Sequence, residues 1–194
     1  CGFRINAGTR HEQAGEEGLA HFCEHMSFKG TNRRKAYHII QKLECVGGDL
    51  NAFTNKENTV YHTAVLKEHT PRAIELLCDI VFNSTYPQKE IDKEVEVICD
   101  EIESYNDSPA ELIYDNFEGL LFQNHSLGHN ILGTSQNVRS FTTESAKRFT
   151  SRLYTPQNMV FYCYGDVRFE QVVRWIEKHT QHLPKANPLI GSTR

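Results

Sequence analysis

The chain lacks the marks of a membrane protein, a nucleic-acid binder or a disulfide scaffold. No run in its 194 residues approaches the apolar length of a membrane span, and no secretory leader is visible. There is no excess of cations: 21 Lys and Arg stand against 25 Asp and Glu. The resulting formal charge of -4 carries no polyanion footprint and argues against nucleic acid as a partner. There is no internal repeat, no low-complexity tract and no Cys-x-x-Cys pair. The six cysteines, Cys1, Cys23, Cys45, Cys78, Cys99 and Cys163, are widely scattered. Cys23, Cys78 and Cys99 fall inside helical patterns. They therefore read as reduced, mostly buried thiols, neither a disulfide framework nor a thiolate metal site. That leans towards a cytoplasmic location, with the periplasm open if an export signal was removed from the front. Because Cys1 falls inside a strand pattern, the expectation is a piece of a longer protein.

What is present is enough for one sizeable domain with its own core. Apolar spacing predicts helices over about 19–29, 35–46, 69–83, 88–105, 109–122, 143–153 and 169–182. It predicts strands over 1–6, 50–54, 59–66 and 158–164. Asn55-Lys56-Glu57-Asn58 reads as a hairpin turn, Gly30 and Gly47-Gly48 as helix stops, and Ser108-Pro109 as a cap followed by a first-turn proline. Acidic Glu16 and Glu17 suit the positive end of the first helix. Strands and helices mix without strict alternation. The expected class is α+β, an antiparallel sheet with helices packed on it, over residues 1–183, with 184–194 as a linker.

The informative segment is His21-Phe22-Cys23-Glu24-His25. On a helix, residues four apart share a face, so both imidazoles can reach one metal ion. Glu24 lies on the adjoining face and can hydrogen-bond a metal-bound water without ligating the metal. This is the inverted zincin pattern, and nitrogen ligands with a carboxylate suit zinc. A pentapeptide alone also fits an ordinary helix with two part-exposed histidines and a solvated glutamate. A catalytic zinc needs a third protein ligand and an open position. Glu94 and Glu101, two helical turns apart, border the apolar stripe Ile91, Val95, Ile98 and Ile102. A carboxylate beside a buried face needs a partner. Spacing does not choose between the two, whereas Glu96 and Glu103 read as a solvated face.

Several segments together resemble the pitrilysin, insulinase and mitochondrial processing peptidase family of zinc peptidases. Gly8-Thr9-Arg10 followed by Gly18-Leu19-Ala20-His21-Phe22-Cys23-Glu24-His25-Met26-Ser27-Phe28-Lys29-Gly30-Thr31 is similar to its metal-site segment. Gly47-Gly48-Asp49-Leu50-Asn51-Ala52-Phe53-Thr54 resembles its substrate strand, and residues 94–103 its third-ligand helix. Leu127-Gly128 and Leu132-Gly133-Thr134 are similar to a later landmark. The resemblance implies a processing-peptidase-like domain, with zinc on His21, His25 and Glu101, Glu24 as general base, and Glu94 orienting a ligand or tuning the water. It implies that Asn51, Ala52, Phe53 and Thr54 form an edge to which a peptide or unfolded-protein substrate adds as a strand. It also implies a second homologous domain, on the same chain or on a partner subunit, and little activity without it. His129 stands where many relatives have Arg and is given no role. Two rivals share the fold: a non-catalytic partner subunit, and a peptide-binding module with a vestigial metal site. S-ribosylhomocysteine lyase shares the helix motif but takes a cysteine as third ligand.

Overall fold

A computed structural model describes residues 1–183. The linker expected over 184–194 lies outside the described residues. Four strands make one antiparallel sheet: β1 (Gly2–Ile5), β2 (Asp49–Thr54), β3 (Thr59–Ala64) and β4 (Met159–Tyr162). Their order is β2-β3-β1-β4, which leaves β2 at one edge and β1 in the interior. In the register Phe3 faces Tyr61 on one side and Phe161 on the other. The Phe3 ring meets the Phe161 and Phe82 rings edge-on, with centroids 5.0 and 5.5 Å away.

Helices cover the sheet: α1 (Leu19–Ser27), α2 (Ala36–Glu44), α3 (Thr70–Phe82), α4 (Gln88–Asn106), α5 (Pro109–Leu121), α6 (Ser135–Val138), α7 (Thr143–Leu153) and α8 (Phe169–Thr180). The expected α+β architecture is the observed one. α1 is central, packing on β2, β3, α4 and α7. Leu19, Ala20, Phe22, Cys23 and Met26 are fully buried, so hydrophobic burial on nearly every side fixes this helix. The stripe of Ile91, Val95, Ile98 and Ile102 on α4 is likewise buried.

The hairpin turn forms where the sequence predicts it. Asn55 Oδ1 accepts the N–H groups of Glu57 and Asn58 at 2.9 and 2.8 Å, an Asx turn. All six cysteines are free. No described helix is long and apolar enough to cross a membrane.

Two local expectations are corrected. Ser108 occupies the cap position of α5, but its side chain makes no capping bond. Its carbonyl instead accepts from Glu111 and Leu112 N–H. β4 ends at Tyr162, two residues early, because Cys163 and Tyr164 leave the ladder and Tyr164 is almost wholly exposed. Glu16 and Glu17 stand just before α1, where their charge suits the positive end of the helix, and their side chains also bind elsewhere. Glu16 pairs with Arg152 at 2.6 Å, and Glu17 accepts from Asn137 and from Gly15 N–H.

Candidate metal centre

α1 and α4 cross so that the two histidines of one face the two glutamates of the other. His21 Nε2 and His25 Nε2 are 3.1 Å apart. Glu101 stands over both, with Oε1 3.8 Å from His21 Nε2 and Oε2 3.5 Å from His25 Nε2. One ligand atom from each of the three lies within 4.8 Å of the others. A tetrahedral ion with bonds of about 2.0–2.1 Å separates its ligand atoms by roughly 3.3 Å. The nitrogen–nitrogen distance and the nearest oxygen distance from each histidine lie on either side of that value. The donor set, two imidazole nitrogens and one carboxylate, suits zinc and leaves a position open.

Glu94 does something different from Glu101. It is buried, and its Oε1 accepts from His25 Nδ1 at 3.0 Å while Oε2 meets Lys29 Nζ at 2.6 Å. With Nδ1–H donating to Glu94, the lone pair of His25 Nε2 points at His21. Two bare nitrogens 3.1 Å apart need a proton or a cation between them. The two carboxylates that spacing leaves equivalent therefore separate in space. Glu94 is behind His25, and Glu101, with 44 % of its side chain exposed, is in front of both rings. His21 Nδ1 is buried and has no hydrogen-bond partner among the described residues.

The electrostatics push neighbouring groups apart. Burial first, and His25 second, lower the His21 pKa to about 3. Burial would also lower His25, but the hydrogen bond to Glu94 and the nearby Glu24 and Glu101 charges raise it instead. Glu24 is raised by burial, against the pull of its Thr54 hydrogen bond and His25. Burial alone would raise Glu94, yet His25 and Lys29 hold it below the usual carboxylate range. Such divergence among adjacent titratable groups is typical of functional sites.

Glu24 reaches the cleft beside the histidines, and its Oε2 accepts from Thr54 Oγ1 at 2.6 Å. The Thr54 hydroxyl is thus engaged by Glu24, a use that strand alternation alone does not reveal. Ala52, Phe53 and Thr54 line the cleft, which encloses about 350 Å³, with Tyr105, Asp115, Asn130 and Leu132 on the far wall. Asn51 lines an adjoining hollow with Ala52, Lys29 and Glu94, and its Oδ1 accepts from Ala52 N–H at 2.8 Å. Tyr105 faces the cleft. Tyr61 and Tyr154 are buried and joined OH to OH at 3.0 Å.

One residue has no signal in the sequence. Glu12 is buried with both oxygens on the first turn of α1: Oε2 accepts from Gly18 N–H at 3.2 Å, and Oε1 from Ala20 N–H at 2.9 Å. Burial pushes its carboxyl up to about 8, and the two amide donors pull the other way. A bond reaching six and eight residues ahead lies outside any capping-box spacing.

A family profile described as "Insulinase (Peptidase family M16)" matches residues 1–135, and one described as "Peptidase M16 inactive domain" matches residues 140–193. The chain belongs to the insulinase family. An uncharacterized zinc protease of Rickettsia bellii, a relative within that family, is 40 % identical over 171 residues, covering 88 % of this chain and 42 % of its own length. The mitochondrial-processing peptidase subunit beta of Saccharomyces cerevisiae is 35 % identical over 195 residues, covering 100 % of this chain and 42 % of its own. A solved protease from Helicobacter pylori superposes with a TM-score of 0.91 at 25 % identity, over 100 % of this chain and 47 % of that one. The chain thus spans less than half the length of these insulinase-family relatives.

Proposed function

We propose that the chain is the metal-bearing domain of a zinc-dependent endopeptidase or oligopeptidase. The observation that carries the reading is the convergence of His21, His25 and Glu101 within 4.8 Å, beside the buried Glu24. Zinc in its relatives' names, and the fit of this donor set to zinc, support the choice of metal. A zinc ion there would supply a Lewis acid that lowers the pKa of water towards neutrality and polarises the scissile carbonyl.

This chain's own residues would do the rest. Glu24 takes the proton of the attacking water and passes it to the leaving amine. Its raised pKa is in the direction such a base needs near neutral pH. Thr54 donates to one Glu24 oxygen and so restricts the rotation of the carboxylate. Glu94 fixes the tautomer of His25 through Nδ1. The edge strand β2 receives the peptide main chain by strand addition, with Asn51, Ala52, Phe53 and Thr54 along it. Ala52 N–H, now held by Asn51 Oδ1, is the donor to be handed to a peptide carbonyl.

Residues 1–183 form this domain. A second, homologous domain on the same chain or a partner subunit would close the cleft, in keeping with relatives more than twice as long. A cytoplasmic site of action is part of the proposal and rests on the scattered free thiols.

The test is zinc stoichiometry by elemental analysis. About one zinc per wild-type chain is expected, and close to none in Glu101→Gln. A Glu101→Gln protein that keeps its full zinc would remove Glu101 from the site. A full-length protein that takes up no zinc would favour the alternative, a non-catalytic partner subunit or peptide-binding module.

A further inference from the structure

The first turn of a helix leaves its N–H groups without intrahelical acceptors. Commonly the cap residue's own side chain serves them. In α1 the cap is Gly18, which has no side chain and sits in the left-handed region at φ +93°. It cannot gain a side chain there: a Cβ would lie 2.6 Å from Leu132 O. Gly18, Leu19 and Ala20 are all buried, so water does not serve their N–H groups. Leu19 N–H finds Glu16 O at 2.8 Å. The N–H groups of Gly18 and Ala20 depend on Glu12, one on each oxygen. His21 follows Ala20 directly.

We propose that Glu12 is a positioning residue for the metal centre, fixing the first turn of α1 so that His21 Nε2 meets His25 Nε2 and Glu101. This rests on the reading of His21, His25 and Glu101 as metal ligands. The rest of the segment is anchored separately. Glu16 accepts from Gln13 N–H at 3.0 Å and pairs with Arg152 of α7. Arg152 also donates to His11 O at 3.0 Å. Gly133 abuts Gly18, where an added Cβ would come within 2.7 Å of Gly18 Cα. The 11–18 loop is thus tied down without Glu12, and what Glu12 adds is aimed at the turn that carries His21. His21 needs such support, because its Nδ1 has no partner among the described residues to fix the ring, whereas His25 is held by Glu94.

Glu12→Gln keeps the size of the side chain and one acceptor oxygen, and turns an NH2 towards the other backbone N–H. The measurements are zinc affinity by chelator competition and the visible ligand-field spectrum of the cobalt-loaded full-length protein. Glu16→Gln, which removes a neighbouring anion and touches no N–H of Gly18 or Ala20, is the control. Expected is a roughly 10- to 100-fold loss of zinc affinity and a shifted cobalt spectrum in Glu12→Gln, with Glu16→Gln like wild type in both. Wild-type affinity and spectrum in Glu12→Gln, or equal loss in Glu16→Gln, overturns the proposal.

Amide hydrogen exchange of the wild type carries the same question should Glu12→Gln not fold. Coupling between cap and metal is reciprocal. Zinc must therefore slow exchange at Gly18 and Ala20, and unchanged exchange there overturns the proposal. Wild-type protein that takes up no zinc overturns both this inference and the reading beneath it, whereas zinc uptake with an indifferent Glu12 overturns this one alone.

Discussion

Two hollows in this chain invite opposite judgements. One, of about 800 Å³, lies between the end of β4 and α8 and is walled by Phe161, Tyr164, Val172 and Ile176. The candidate metal cleft is less than half that size, about 350 Å³. By volume and apolar lining the first looks the better ligand site. Yet its charged wall residues are Asp166, which pairs with Lys67 at 2.6 Å, and Glu177. The smaller cleft gathers His21, His25, Glu24 and Glu101, and burial together with neighbouring charges lowers His21 while Glu24 and His25 are raised. Volume measures what could be filled. Convergent ionisable groups measure what could react.

The comparison can be broken most decisively at Glu24. Glu24→Gln keeps the shape and the Thr54 contact but cannot take a proton. Peptide hydrolysis by the full-length protein is expected to fall about 10³-fold with zinc content unchanged. Full activity in that variant would mean that the cleft's chemistry lies elsewhere.

Acid should expose the cleft next. His21 is near 3 when folded and 6.5 when free, so between those values the unfolded chain binds a proton that the folded chain refuses. Stability of the metal-free protein should therefore fall as pH drops from about 6.5 towards 3, by on the order of a few kcal/mol from this group. His25 has the opposite sign, since its raised value lends stability at acid pH that is lost as pH climbs through it. Urea titrations on His21→Gln should show the acid-side slope flattened, and an unchanged slope would refute the assignment. Glu94→Gln comes third, with zinc affinity expected to weaken roughly 10- to 100-fold, measured by chelator competition.

The smallest effect belongs to the other hollow. Tyr164→Ser, at a side chain 99 % exposed, should leave zinc content and turnover within about twofold. A tenfold fall in turnover would give the larger hollow a part in the reaction and undo the contrast.

Much of this was legible in the residues themselves. The i, i+4 spacing of His21 and His25 needed only a helix, and the burial of Leu19, Phe22 and Met26 supplies one. The two-turn spacing of Glu94 and Glu101 placed both on one side of α4, but periodicity repeats and so could not rank them. The crossing of α1 and α4 does, and that crossing is a tertiary fact. The bond from Thr54 to Glu24 joins a strand end to a helix thirty residues earlier, which no local pattern encodes. At Ser108 the sequence held a plausible capping group that the fold did not use. The cap of α1 came from Glu12, unmarked in the sequence, because the loop folds back on the helix it precedes.

The place of β1 in the sheet bears on how the molecule comes into being. Its partners are β3 and β4, one from the first half of the described chain and one from near its end. On the ribosome, β1 therefore waits for almost all of this chain before its second neighbour exists, and pairings so distant in sequence form slowly. Until then the sheet lacks its β4 edge. The sheet should accordingly close late in synthesis, in one step, when β4 docks on β1.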